Sequence, residues 1–250
     1  MNTAVQEKQK KVILITGASR GIGAFTASLL AQQGHSIIIN YANNDQEANA
    51  VVQRIQANGG TATAFKANIS HSDEVTQLFD YAIQTYGRLD VLMNNAGIMR
   101  LNKIEDVDDE TIDQLLAINL KGPLYTMREA AKRLAHGGKI INLSSSVVGM
   151  KLETYGVYTA SKAAIESLTA ILAKELRGKN ITVNAIAPGP TATALFLEGK
   201  SDELIARLIQ AAPLERLGTV EDIAAVLDFA VNEGSNWVNA QILRVNGGIV

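Results

Sequence analysis

Short apolar runs alternate along the chain with longer segments in which apolar residues recur every three or four positions. The first run is Val12 to Thr16, followed by a helical stretch from about Ile22 to Gln33 and a second run at Ser36 to Tyr41, which together read as a βαβ opening. The pattern continues with a helix near Gln46 to Ala57, a strand near Ala62 to Lys66, a helix near Asp73 to Tyr86 and a strand at Val91 to Asn94. A long helix near Thr111 to Ala135 leads to a strand at Lys139 to Leu143, then a helix from about Tyr155 to Leu176 and a strand at Thr182 to Ile186. A helix near Val220 to Val231 and a strand near Gln241 to Val245 close the series. Val12-Ile13-Leu14-Ile15 and Ile37-Ile38-Ile39 are apolar without alternation, as expected of parallel strands covered by helices on both faces. The expected fold is α/β: a doubly wound, seven-stranded parallel sheet with helices on both faces, forming a single domain over residues 11–250 after a flexible tail, 1–10. The least regular stretch starts at Pro188, and residues 188–215, beyond a strand end, are expected to form a substrate loop.

Composition narrows the chemistry. With 250 residues, 47% of them apolar, the chain can fill a large core. A formal charge of -2 and no dense Lys/Arg run argue against a nucleic-acid partner. Cysteine is absent, which removes thiolate nucleophiles, disulfides and zinc-thiolate sites. His35, His71 and His136 have no metal-ligand spacing and read as surface residues, so no metal is expected. No apolar run approaches the roughly 18 residues of a membrane helix, and Met1 to Lys11 is polar, so a cytoplasmic protein without a membrane partner is expected.

Between the first strand and first helix lies Thr16-Gly17-Ala18-Ser19-Arg20-Gly21-Ile22-Gly23, a place where backbone N–H groups and the helix dipole can hold a pyrophosphate. The spacing is G-x-x-x-G-x-G rather than G-x-G-x-x-G, so the dinucleotide fingerprint is met in position but not in letter. An NAD enzyme usually carries an acidic residue about 20 positions later, whereas the second strand ends Asn40-Tyr41-Ala42-Asn43-Asn44. Without that carboxylate a 2′-phosphate can be accommodated, and Arg20 is a suitable partner for it, which favours NADP(H) without excluding NAD(H). Asn44 and Glu47 read as a capping box for the next helix, and neither Asp45 nor Glu47 is expected to touch the cofactor.

Tyr158-Thr159-Ala160-Ser161-Lys162 lies on a segment of helical period, so the phenol and the ammonium project from one face. A phenol has a pKa near 10, and a neighbouring Lys⁺ favours its ionisation, so Tyr158 can act as a proton shuttle. Tyr155, one turn earlier, faces the same side, as a pocket residue or an ordinary packed aromatic. Leu195, Phe196 and Leu197 read either as an apolar lid or as packing on a helix.

In order along almost its whole length the sequence resembles the short-chain dehydrogenase/reductase family, and its segment Asn40-Tyr41-Ala42-Asn43 particularly resembles fungal-type naphthol reductases and some 3-oxoacyl-acyl-carrier-protein reductases that use NADPH. The matches are the glycine loop, Asn94-Asn95-Ala96-Gly97, Asn119, a serine thirteen positions before the tyrosine, Tyr158 with Lys162, and Pro188-Gly189 with Thr191 and Thr193. Counting back selects Ser145 within Ser144-Ser145-Ser146, with a register one residue off left open. The resemblance implies a Rossmann-like fold and carbonyl reduction by hydride transfer, on a ketone or, in reverse, a secondary alcohol. In it Tyr158 donates the proton, Ser145 polarises the oxygen, Lys162 holds the nicotinamide ribose and lowers the Tyr158 pKa, and Asn119 positions a water. Cofactor contacts are implied from Gly17, Ser19, Arg20, Gly21, Ile22, Gly23, Asn40, Tyr41, Ala42, Asn43, Asn68, Ile69, Asn95, Ala96, Gly97, Tyr158, Lys162, Pro188, Gly189, Thr191 and Thr193. A homo-oligomer, tetramer or dimer, is also implied. Asn68-Ile69, Asn239-Ala240 and Asn246 depart from the family pattern, where an acidic residue, T-G and D are common. Two alternatives stand beside this reading: an NAD(H)-dependent alcohol dehydrogenase on the same fold, and a non-catalytic dinucleotide-sensing protein.

Overall fold

The computed structural model describes residues 10–250; the expected tail, 1–10, lies outside the described residues except for Lys10. Apolar strands and amphipathic helices alternate through the first half: β1 Val12–Ile15, α1 Gly21–Gln32, β2 Ser36–Tyr41, α2 Asp45–Ala57, β3 Thr61–Lys66, α3 Ser72–Tyr86 and β4 Val91–Asn94. After α4 Asp109–Leu116 and α5 Gly122–Arg133 come β5 Lys139–Leu143, α6 Val147–Met150, α7 Gly156–Glu175 and β6 Thr182–Pro188. The chain then forms α8 Ala194–Leu197, α9 Asp202–Ala211, α10 Val220–Val231 and β7 Ile242–Val245. The seven strands make one sheet in the order β3-β2-β1-β4-β5-β6-β7, with every neighbouring pair parallel. This is the Rossmann-like, doubly wound arrangement expected from the sequence.

Two cores explain why the central strands show no alternation. Ile13 and Ile15 of β1 pack on the face covered by α1, α2 and α10, with Leu30, Ile55 and Leu227. Val12 and Leu14 of the same strand pack on the other face with Phe79, Met127 and Ile165 of α3, α5 and α7. Because both faces are buried, each strand residue loses solvent-exposed apolar area, and nothing selects a polar partner position. The chain runs from β1 outward to β3 and then returns to the other side of β1 as β4. A crevice therefore opens beyond the C-terminal ends of β1 and β4.

The helix expected over Thr111 to Ala135 is interrupted by a π-helical turn, Ala117–Lys121, between α4 and α5. Pro123 supplies the cause: it has no N–H to give the Asn119 carbonyl four residues earlier, and its ring crowds that carbonyl, so the turn widens. The segment 188–215 also has more regular structure than its irregular beginning suggests, because α9 is capped by Ser201, whose hydroxyl accepts the Leu204 N–H at 3.3 Å. Beneath the crevice a buried chain of neutral groups joins α5, β4, β5 and α7. Thr126 Oγ donates to Asn94 Oδ1 (2.6 Å), Asn94 Nδ2 to Asn142 Oδ1 (2.9 Å), and Asn142 Nδ2 to Thr169 Oγ (2.9 Å).

His35 corrects the surface reading given to all three histidines: it is buried, and its Nδ1 accepts the Lys11 N–H at 3.1 Å. His71 and His136 are exposed. The departures near β7 are absorbed locally. Asn239 Oδ1 accepts the Val183 N–H at 2.8 Å, Asn246 bonds Ser146, Gly248 and Val250, and Ala240 takes a left-handed backbone with φ +60. Among the described residues no helix is long and apolar enough to cross a membrane.

Candidate active site

The glycine loop owes its shape to close approach. Gly17 has φ +60, and a Cβ there would lie 2.7 Å from the Ala96 Cα; a Cβ on Gly23 would lie 2.6 Å from Asn95 Nδ2. Neither position has room for a side chain. The loop is held from β4 and β2. Asn95 Nδ2 donates to the Thr16 and Gly17 carbonyls, both at 2.9 Å, and Thr16 Oγ accepts the Asn95 and Ala96 N–H groups at 3.0 and 3.1 Å. Asn40 Oδ1 accepts the Gly17 N–H at 3.4 Å while its Nδ2 donates to the Ala67 carbonyl at 2.9 Å. The amides of Asn40 and Asn95 therefore meet the loop backbone. Arg20, exposed, is the N-cap of α1 and makes no side-chain cap bond, so the first amides of α1 point toward the crevice.

Gly17, Ser19, Arg20, Gly21 and Ile22 border one cavity of about 570 Å³ together with Asn40, Tyr41, Ala42 and Asn43. Gly23 sits behind the loop, where its lack of a side chain admits Asn95. At this end Asn44 accepts the Glu47 N–H at 3.0 Å, which is half of the expected capping box; the full box occurs instead at Thr219 and Asp222 of α10. Asp45 is turned toward Lys66, 3.2 Å away, and the Tyr41 hydroxyl, which together hold its carboxyl below the usual range. Glu47, against expectation, borders the cavity. Asn68 and Ile69 also border it; Asn68 Oδ1 accepts from the Ser70 N–H and Oγ at 3.1 and 2.8 Å, and Ile69 packs against Gly122.

At the other end α7 brings Tyr158 and Lys162 to the end of β5. Tyr158 is only 8% exposed; burial pushes its pKa up to about 12, with a hydrogen bond from Ser145 opposing and Tyr155 reinforcing. Lys162 is pushed down to about 8 by burial, donates to the Leu143 carbonyl at 2.8 Å and lies 5.8 Å from the centre of the Tyr158 ring. Ser145 is the serine of its run that meets Tyr158. Ser144 Oγ donates to Glu166 Oε1 (2.7 Å), and Ser146 Oγ donates to the Ala187 carbonyl (2.9 Å). Asn119, in the π-helical turn, grips Ile98 with both ends of its amide: Nδ2 donates to the carbonyl at 2.8 Å and Oδ1 accepts the N–H at 2.9 Å. A Cβ on Gly97 would lie 3.3 Å from Asn119 Oδ1 and 3.7 Å from Lys162 Nζ, so these three residues converge.

The cavity continues past Ala96, Gly97, Pro188, Gly189, Thr191 and Thr193 to an apolar wall that includes Met99, Val147, Met150, Tyr155 and Phe196. Tyr155 stands edge-on to Tyr158, ring centres 6.4 Å apart, and Thr193 caps α8 by accepting the Phe196 N–H at 3.3 Å. The arrangement places two hydroxyls and an ammonium between the glycine-loop cradle and an apolar chamber. Sequence reasoning missed Thr16 as an organiser of the loop, Glu47 at the cavity edge and Glu166 behind the serine run. A Thr just before a glycine loop and an Asx/Glu pair at a helix start carry local signals, whereas Glu166 is recognisable only from the packing of α7.

Residues 17–250 match a family model described as enoyl-(acyl carrier protein) reductase. A short-chain type dehydrogenase/reductase of Picea abies is 43% identical, over 96% of this chain and 92% of that protein. A chloroplastic NADPH-dependent aldehyde reductase-like protein of Arabidopsis thaliana is 38% identical, over 96% and 94%. Among solved structures, a short chain dehydrogenase of Burkholderia cenocepacia in complex with NADP superposes with a TM-score of 0.90 at 33% identity, covering 96% of this chain and 97% of that one. Fold, glycine loop and near-complete coverage agree, and the chain belongs to the short-chain dehydrogenase/reductase family of oxidoreductases.

Proposed function

We propose that the protein is an NADP(H)-dependent carbonyl reductase that interconverts a ketone and a secondary alcohol, with Tyr158 as its acid and base. The observation that carries this reading is that Ser145, Tyr158 and Lys162 line the same cavity as the open N-terminus of α1. The residues present fit a dinucleotide: the cradle at Gly17 and Gly23 has no room for a Cβ, and backbone amides of α1 face it. Gly17 to Ile22, Asn95 to Gly97, Pro188-Gly189, Thr191 and Thr193 would hold it. Arg20 and the neutral stretch Asn40 to Asn43 favour a 2′-phosphate, against which Glu47 is the one opposing carboxylate at the cavity edge. NADPH, so bound, supplies the hydride.

The chain's own residues manage the proton. With its pKa raised to about 12, Tyr158 keeps its proton at neutral pH and can deliver it to a carbonyl oxygen that Ser145 orients. The carbonyl carbon takes the hydride, the oxygen takes the Tyr158 proton, and the phenolate left behind is stabilised by the ammonium of Lys162. Asn119 holds the Ile98 backbone beside this group, and its own carbonyl, denied a donor by Pro123, is suited to bind the water that returns the proton. Residues 188–215 close over the substrate. Exposed Leu124 and Ile171, on α5 and α7, support a homo-oligomer.

Fluorescence titration with NADPH and NADH, followed by a ketone panel, tests this. NADPH is expected to bind more tightly, with Arg20→Ala removing the preference. Tyr158→Phe is expected to lower kcat by about 10²- to 10⁴-fold while leaving the NADPH Kd in place. Tighter NADH binding would make the protein the NAD(H) enzyme instead, and turnover that survives Tyr158→Phe would remove Tyr158 from the chemistry.

A further inference from the structure

α7 meets the end of β5 at three polar contacts, spaced about one helical turn apart. Tyr158 meets Ser145 at the cavity, Lys162 donates to the Leu143 carbonyl at 2.8 Å, and Glu166 accepts from Ser144 Oγ at 2.7 Å. Residues 158, 162 and 166 succeed one another at intervals of four and so share a face of the helix. The first two contacts belong to the proton chemistry proposed above. Glu166 has no part in that chemistry, yet its half-buried carboxylate accepts the hydrogen bond of a buried serine hydroxyl, a charge-assisted bond stronger than a neutral one. On the far side of the run, Ser146 Oγ donates to the Ala187 carbonyl and accepts from Asn246 Nδ2 at 3.0 Å. Both flanking serines are thus tied down, and the middle hydroxyl faces Tyr158.

We infer that Glu166 is a positioning residue for the Ser145–Tyr158 pair, acting through Ser144. The Ser144–Glu166 bond fixes how the start of the serine run sits against α7, so the two reacting hydroxyls are in register before a carbonyl arrives. Such registration matters because small misplacements of a reacting group cost large factors in rate. Asn246 does the same for the other flank from the end of β7. The inference rests on carbonyl reduction at Tyr158.

The test uses the full chain, NADPH and the best ketone of the panel. Glu166→Leu is expected to lower kcat about fivefold, the scale of one lost hydrogen bond, with ketone KM and NADPH Kd unchanged. Glu166→Gln, whose amide oxygen still accepts a hydroxyl, should recover most of that loss. Ser144→Ala should lose as much as Glu166→Leu, and the double variant should lose no more than either. In a Ser145→Ala background Glu166→Leu should have no further effect. A parental kcat in Glu166→Leu, the same fivefold loss in the Ser145→Ala background, or a loss that Gln does not recover would overturn the inference. Failure of the underlying reading shows separately, as turnover that persists in Tyr158→Phe.

Discussion

The two ends of the cavity are held by different physics. Around the glycine loop, Asn95, Thr16 and Asn40 hydrogen-bond the backbone from neighbouring strands, and the loop lies so close to Ala96 that no side chain fits. Beside the apolar chamber, α8 and α9 rest on their own caps, Thr193 and Ser201, and on Lys200. That ammonium donates to the Phe196 carbonyl at 2.6 Å and lies 4.6 Å from the Phe196 ring and 6.0 Å from the Tyr155 ring. Leu195 and Leu197 remain 38% and 41% exposed, and across α8 and α9 only Leu208 is buried, so little buried area holds this segment in place. The end facing the glycine cradle is preorganised, and the end facing the apolar chamber is adaptable.

The sharpest way to break this contrast is at Gly17. Gly17→Ala adds a Cβ 2.7 Å from the Ala96 Cα in a left-handed backbone, and the loop must shift. NADPH Kd, read by fluorescence, is expected to rise by about tenfold or more, the scale of one lost hydrogen bond to a charged phosphate. A near-parental Kd would show that the loop is as adaptable as the α8–α9 segment. The pH profile probes the boundary between the two ends. Burial lowers the Lys162 pKa to about 8, so its charge is lost as pH rises through that value, while Tyr158, raised to about 12, stays protonated. Reductive kcat/KM is therefore expected to be flat below pH 8 and to fall toward a limit of about tenfold per unit above it. A fall centred near pH 10 would place the controlling ionisation elsewhere. The mildest effect is expected in the α8–α9 segment. Phe196→Ala should raise ketone KM about fivefold, with the NADPH Kd unchanged and the Tm lowered by only about 2 °C. A large drop in Tm would mean that this segment is part of the core.

Most of the fold was legible because strands buried on both faces leave uninterrupted apolar runs: β2, β4 and β5 begin and end where those runs do. Helix α9 was missed although Ser201 and the apolar spacing of Leu204, Ile205, Leu208 and Ile209 announce it, because the irregular start at Pro188 set the expectation for the whole segment. The π-helical turn also had a visible cause in Pro123, inside a stretch read as continuous helix. At the site, Tyr158, Lys162 and the glycines follow from local spacing. The partners of Asn40, Asn95 and Asn119 do not, since each depends on a backbone atom brought in from another strand or loop. His35 was misjudged for the same reason: its burial is set by packing rather than by its neighbours in sequence.

The π-helical turn acts as a change of phase in one long rod. A single extra residue in the winding rotates everything after it by about 100° relative to an unbroken α-helix. α4 can therefore lie against α7 while α5 lies against α3, each with its apolar stripe turned to a different neighbour. Deleting one residue from 117–121 would turn α5 by the same angle relative to α4 and force one stripe or the other to face solvent. For this length of chain, the number of residues is constrained as well as the identity of Asn119 and Pro123.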